Sequence, residues 1–90
     1  GGDEFALLFP SGMSIGEVTA FLDDLIAELG EMPPLGSSQL RIGATCGVAR
    51  METAGSSEEI MRRADLALYR GKDAGRGTVV CWDEHIEARQ

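Results

Sequence analysis

Apolar and polar positions along this 90-residue chain follow two rhythms. The continuous apolar run Phe5-Ala6-Leu7-Leu8-Phe9 predicts a strand over residues 3–9, closed by the turn cluster Pro10-Ser11-Gly12. The spacing then lengthens to three and four. Val18, Phe21, Leu22, Leu25, Ile26 and Leu29 form one stripe, and Glu17, Asp23, Asp24 and Glu28 lie opposite, which predicts a helix with one face on a core. Ser14 with Glu17 three residues later is a capping box that starts it. Gly30 ends it, and Pro33-Pro34 prevents its resumption. This helix reads as scaffold.

From Gln39 to Arg50 the period returns to two. Leu40, Ile42, Ala44, Cys46 and Val48 line one face of a predicted strand, and Gly43, Thr45, Gly47 and Ala49 line the other. The small second face would let a helix approach closely, and the scarcity of charge makes this an interior strand. Residues 51–55 connect. A second capping box, Ser56 with Glu59, opens a helix that turns Ile60, Met61, Ala64, Ala67, Leu68 and Gly71 inward and ends near Gly75. Glu58 with Arg62, and Glu59 with Arg63, sit at i,i+4, so both arginines read as solvent-side partners. Residues 78–82 form a last strand, and 83–90 a polar tail carrying the single histidine, His85, which reads as solvated. The order β-α-β-α-β predicts an α/β chain with helices returning over a sheet.

Composition sets the class. A hydrophobic share of 43% and a charged share of 26% belong to a soluble globular domain. No apolar run is long enough to span a bilayer. The net charge of −7 disfavours nucleic acid and anionic membrane surfaces as partners. Within this acidic balance, however, five of the eight basic residues (Arg62, Arg63, Arg70, Lys72 and Arg76) fall in one short stretch, a local cluster able to hold phosphates. Cys46 and Cys81 match neither a zinc pattern nor a disulfide framework, and read as small buried hydrophobes in a reducing cytoplasm. A disulfide between them requires their strands to be neighbours.

Candidate chemistry begins at Gly1-Gly2-Asp3-Glu4-Phe5. Paired glycines permit a tight turn, and two carboxylates follow at the start of a strand. Acids raised to a sheet rim can present oxygen ligands to Mg²⁺ beside a nucleotide phosphate. The same spacing also describes an ordinary hairpin tip whose acids face water. Lys72 and Arg76, at i,i+4 near a helix end, likewise carry two readings: a solvated pair favoured by the helix dipole, or a phosphate clamp.

The pentapeptide is identical to the signature of the GGDEF family, the diguanylate cyclases. Thr45-Cys46-Gly47-Val48-Ala49 is similar to that family's Ser-Ile-Gly-Val-Ala strand. Residues 64–76, Ala-Asp-Leu-Ala-Leu-Tyr-Arg-Gly-Lys-Asp-Ala-Gly-Arg, resemble its Ala-Asp-x-Ala-Leu-Tyr-x-Ala-Lys-x-x-Gly-Arg helix end. The resemblance implies an α+β palm like that of adenylyl cyclases, a mostly antiparallel central sheet flanked by helices. It also implies that residues 1–90 are the C-terminal part of one GGDEF domain whose N-terminal half is absent. The strand lying between the signature hairpin and residues 40–50 would then be missing. Such a piece alone is expected to be inactive, and unstable unless it pairs with another chain.

The resemblance further implies condensation of two GTP into cyclic di-GMP and two pyrophosphates, across a homodimer of domains in the cytoplasm. Any membrane tether or sensor would lie outside this segment. Asp3 and Glu4 become metal ligands for two Mg²⁺, with Mn²⁺ as the alternative, and Asp3 the base for the 3′-OH. Gly1 and Gly2 let the nucleotide lie against the backbone, and Lys72 and Arg76 hold its β- and γ-phosphates. Gly71 and Gly77 depart from the family's Ala and Asn, and are expected to loosen that end of the helix. The guanine-reading residues, a further metal aspartate and the product-inhibition site would lie upstream of the signature. The alternative function is a non-catalytic GTP-binding module that regulates an attached domain, such as a cyclic di-GMP phosphodiesterase. Beyond it stand a self-associating piece without activity and, by fold analogy, a single-nucleotide purine cyclase, which the pentapeptide argues against.

Overall fold

In the computed structural model, described over residues 9, 12–31, 43–51 and 55–88, helix follows strand in a βαβ arrangement with a helix at either end. Helix α1 spans Ile15–Glu31, strand β1 Cys46–Val48, helix α2 Ser57–Asp73, strand β2 Val79–Cys81 and helix α3 Glu84–Ala88. The signature residues 1–5, all of the predicted strand over 3–9 except Phe9, and residues 39–42 lie outside the described residues.

Both predicted caps are present. At α1 the box is reciprocal: Glu17 N–H donates to Ser14 Oγ and Ser14 N–H to Glu17 Oε1, each at 3.0 Å. The backbone contact holds the Glu17 carboxyl below its usual range. At α2 the Ser56 hydroxyl accepts from Glu59 N–H at 3.1 Å, with the cap residue extended at φ −153°.

Among the described residues, β1 and β2 pair in parallel, with Cys46 opposite Val79, Gly47 opposite Val80 and Val48 opposite Cys81. The mostly antiparallel sheet that the resemblance implied is not confirmed by this parallel pair, and the first strand of the expected β-α-β-α-β order lies outside the described residues. The connection accounts for the pairing: adjacent parallel strands need a crossover, and the 17-residue α2 is that crossover, packed against both strands it joins. The bonds from Cys46 N–H to Thr78 O (2.9 Å) and from Trp82 N–H to Val48 O (2.7 Å) extend the ladder at each end.

The small face of β1 does what its residues predicted. Gly47 lies so close to α2 that a Cβ there would strike Ala64 O, Leu68 N and, at 2.8 Å, Leu68 Cα. Among the described residues, Val18, Leu22, Ala67 and Ile86 are the buried apolar side chains, one or two from each helix. Two expected core residues are half exposed, Phe21 at 51% and Met61 at 50%. A 17-residue helix is about 25 Å long, whereas a three-residue strand covers about 10 Å, so the two described strands alone do not shield all of α2. Phe21 instead packs edge-to-face on Phe9, with centroids 5.8 Å apart.

The expected polar tail is a short helix. Asp83 Oδ1 accepts from Ile86 N–H at 3.0 Å, which caps α3 and seats Ile86 in the core.

Candidate functional site at the end of the crossover helix

Lys72 stands in the last turn of α2 and Arg76 three residues past its end, so the helical i,i+4 relation read from the sequence does not hold. Three consecutive residues there take positive φ: Gly75 at 114°, Arg76 at 65° and Gly77 at 64°. Gly75 N–H donates to Lys72 O at 3.3 Å and Arg76 N–H to Gly71 O at 3.0 Å. These two bonds, from the second and first residues past the cap to the carbonyls within the last turn, define a Schellman motif around Ala74. Ala74 N–H satisfies Arg70 O at 2.9 Å as well. Two carbonyls that would point negative charge out of the helix end, those of Gly71 and Lys72, are thus occupied, which eases the approach of an anion to the nearby cations.

Thr45, at the entrance to β1, ties this turn to the sheet. Its Oγ1 accepts from Gly77 N–H at 2.9 Å. Its Cγ2 fills the notch at Gly71, 2.8 Å from where a Cβ would stand, with Val80 Cγ2 at 3.3 Å from the same point. The two glycines expected to loosen the helix end therefore have fitted roles. Gly77 occupies a left-handed backbone position, and Gly71 is buried beneath a threonine methyl. The strand pattern resembled here carries Ser where Thr45 stands, and the helix pattern Ala where Gly71 stands.

Arg62 and Arg63 belong to a different cluster, at the other end of α2. Arg63 Nε donates to Glu59 at 2.8 Å, the i,i+4 pair the spacing predicted. Arg62 does not pair as predicted with Glu58. It bridges Glu59 at 2.8 Å and Glu87 of α3 at 2.6 Å. Paired this way, the Glu59 carboxyl is pulled down to about 2, that of Glu87 also falls, and the Arg62 guanidinium is held protonated. Trp82 Nε1 donates to Glu87 Oε1 at 3.2 Å, and the Arg63 guanidinium lies 4.0 Å over the Trp82 ring. Sequence reading missed this strap between helices. Its one local signal is Asp83 placed three residues before Ile86, a cap before an apolar anchor. His85 is exposed on α3, in an open groove that Arg50, Arg63 and Trp82 also line.

Cys46 and Cys81 share one face of the sheet and are half-buried rather than buried. Partial burial, and then the Asp23 carboxylate, push both thiols above their ordinary range, so they are unreactive near neutral pH. Their strands are neighbours, but the register offsets the two residues by two positions, and both are free thiols.

Gly1, Gly2, Asp3 and Glu4 lie outside the described residues. Among the described residues, no three His, Cys, Asp or Glu side chains gather in a way that could hold a metal ion. Nor is any described helix long and apolar enough to cross a membrane.

A parallel βαβ unit whose crossover helix ends in a braced, cation-bearing turn is an α+β module. The family model described as diguanylate cyclase, GGDEF domain, matches residues 1–78, and the chain belongs to that family. It is 37% identical over 79 residues to an uncharacterized signaling protein of Caulobacter vibrioides, a match covering 86% of this chain and 10% of that protein. It is 35% identical over 77 residues to the diguanylate cyclase DgcP of Pseudomonas aeruginosa, covering 84% of this chain and 11% of DgcP. A bifunctional diguanylate cyclase/cyclic di-GMP phosphodiesterase of the same organism, MucR, is 28% identical over 98% of this chain and 13% of its own length. The chain thus spans about a tenth of the length of the curated relatives it matches. No solved structure matches it.

Proposed function

We propose that this chain is the C-terminal part of a catalytic diguanylate cyclase domain that, in the full-length protein, joins two GTP into cyclic di-GMP. The observation that carries the reading is a family match over residues 1–78 that begins on an unaltered Gly-Gly-Asp-Glu-Phe. Asp3 accepts the proton of a GTP 3′-OH. The oxygen attacks the α-phosphorus of a second GTP, held by a second copy of the domain, and the bond to pyrophosphate breaks. Repetition in the opposite sense closes the ring. Lys72 and Arg76 hold the β- and γ-phosphates and neutralise the departing pyrophosphate. Gly1 and Gly2 leave room for the nucleotide against the backbone. Adjacent carboxylates are the hard oxygen donors that suit Mg²⁺ or Mn²⁺, so Asp3 and Glu4 would hold the metal, which offsets triphosphate charge when bound. The cytoplasm, which supplies GTP and keeps Cys46 and Cys81 reduced, is the compartment for this reaction.

Incubating the full-length protein with GTP and Mg²⁺, with the product identified by mass, tests the reading. Cyclic di-GMP is expected, and its rate of formation is expected to fall by about a hundredfold or more in Asp3→Ala or Glu4→Ala. GTP binding with no product from the parent protein overturns the cyclase and leaves a regulatory GTP-binding module.

A further inference from the structure

We propose that Thr45 is the positioning residue that aims the phosphate-binding end of α2, a role that rests on the reading of Lys72 and Arg76 given above. The two cations are anchored unequally. Lys72 belongs to the hydrogen-bonded last turn of α2, whereas Arg76 sits beyond it on left-handed backbone, which costs a non-glycine residue energy. Such a conformation persists only where its surroundings over-determine it. Two constraints come from within the turn, the bonds to Gly71 O and Lys72 O. From the sheet side, among the described residues, Val80 also borders the Gly71 notch, but Thr45 reaches both the notch and the turn beyond it, acting through two atoms.

Its hydroxyl accepts the Gly77 N–H, fixing the peptide that follows Arg76. Its methyl occupies the Gly71 notch, fixing how closely the last turn rests on β1. Hydroxyl and methyl project from one β-branched carbon with few rotamers, so the height of the helix end and the direction of the Arg76 turn are set together. Neither Ser nor Val can do both. Thr45 touches no phosphate; it acts through Gly77 and Gly71 on the residues that do.

The test is a mutant cycle in the native protein, read by thermal melting and by affinity for GTP and for inorganic tripolyphosphate. Thr45→Val keeps the shape and removes the acceptor, and is expected to weaken binding of both ligands about threefold to tenfold with the melting temperature little changed. Gly71→Ala forces a Cβ onto the Thr45 methyl and is expected to lower both melting temperature and affinity. Adding Thr45→Ser to Gly71→Ala removes that methyl and is expected to restore both to within about twofold of the parent affinity. Unchanged affinity in Thr45→Val, or strictly additive effects in the double variant, overturns the proposal. Melting restored without affinity reduces Thr45 to a packing residue and overturns its positioning role, while leaving the cyclase reading intact. A parent protein that binds neither GTP nor tripolyphosphate overturns both readings.

Discussion

Single atoms decide the contact between β1 and α2. Gly47 is the closest approach, where a methyl would enter the space of Ala64 O and Leu68 N, both backbone atoms that cannot rotate aside. Gly47→Ala is therefore expected to destabilise the protein by about 1–3 kcal/mol, as overpacking does, and denaturant unfolding measures it. Gly77→Ala acts differently. There is open space around Gly77, but its φ of 64° strains any side chain, so a smaller loss, about 1 kcal/mol, is expected from the same measurement. The two glycines look alike in the sequence, and only their surroundings separate a steric requirement from a conformational one.

The helices depend on their ends and on one another. Ser56→Ala removes the acceptor for Glu59 N–H and is expected to cost about 1 kcal/mol by denaturant unfolding. The strap joining α2 to α3 depends on pH with a definite sign. The Glu59 carboxyl lies at about 2 in the folded chain against an ordinary 4.5, and Glu87 is shifted the same way. A carboxylate whose pKa is lowered by folding contributes stability that is fully present above about pH 4.5 and is lost as pH falls through about 2. Trp82, the chain's single tryptophan, touches both Arg63 and Glu87 and reports on the strap by fluorescence. Its emission is expected to change over that acid range in the parent, and Arg62→Met is expected to remove most of the change. These local features were unequally legible. The capping boxes were plain in the sequence because their partners lie three residues apart. The bridge from Arg62 to Glu87 spans 25 residues and depends on where α3 folds back, so spacing pointed to Glu58 instead.

At the scale of the molecule, among the described residues, one sheet faces three helices. The two described strands, of three residues each, cover only part of α1 and α2, and Phe21, Met61 and Tyr69 keep half or more of their surface exposed. Hydrogen exchange is expected to be slowest at Cys46, Trp82 and the middle of α2, and faster along α1, since the strand ladder and the α2 contact close over the former. Both helices, the small-residue strand face and the positions of Lys72 and Arg76 near a helix end followed from the residues themselves, because periodicity, caps and glycine placement are local properties of a chain. The parallel pairing of β1 with β2 and the meeting of Thr45 with Gly71 and Gly77 were decided by tertiary structure. Each joins segments distant in the chain, and which atoms meet across such a gap is set by how closely α2 can settle on the sheet.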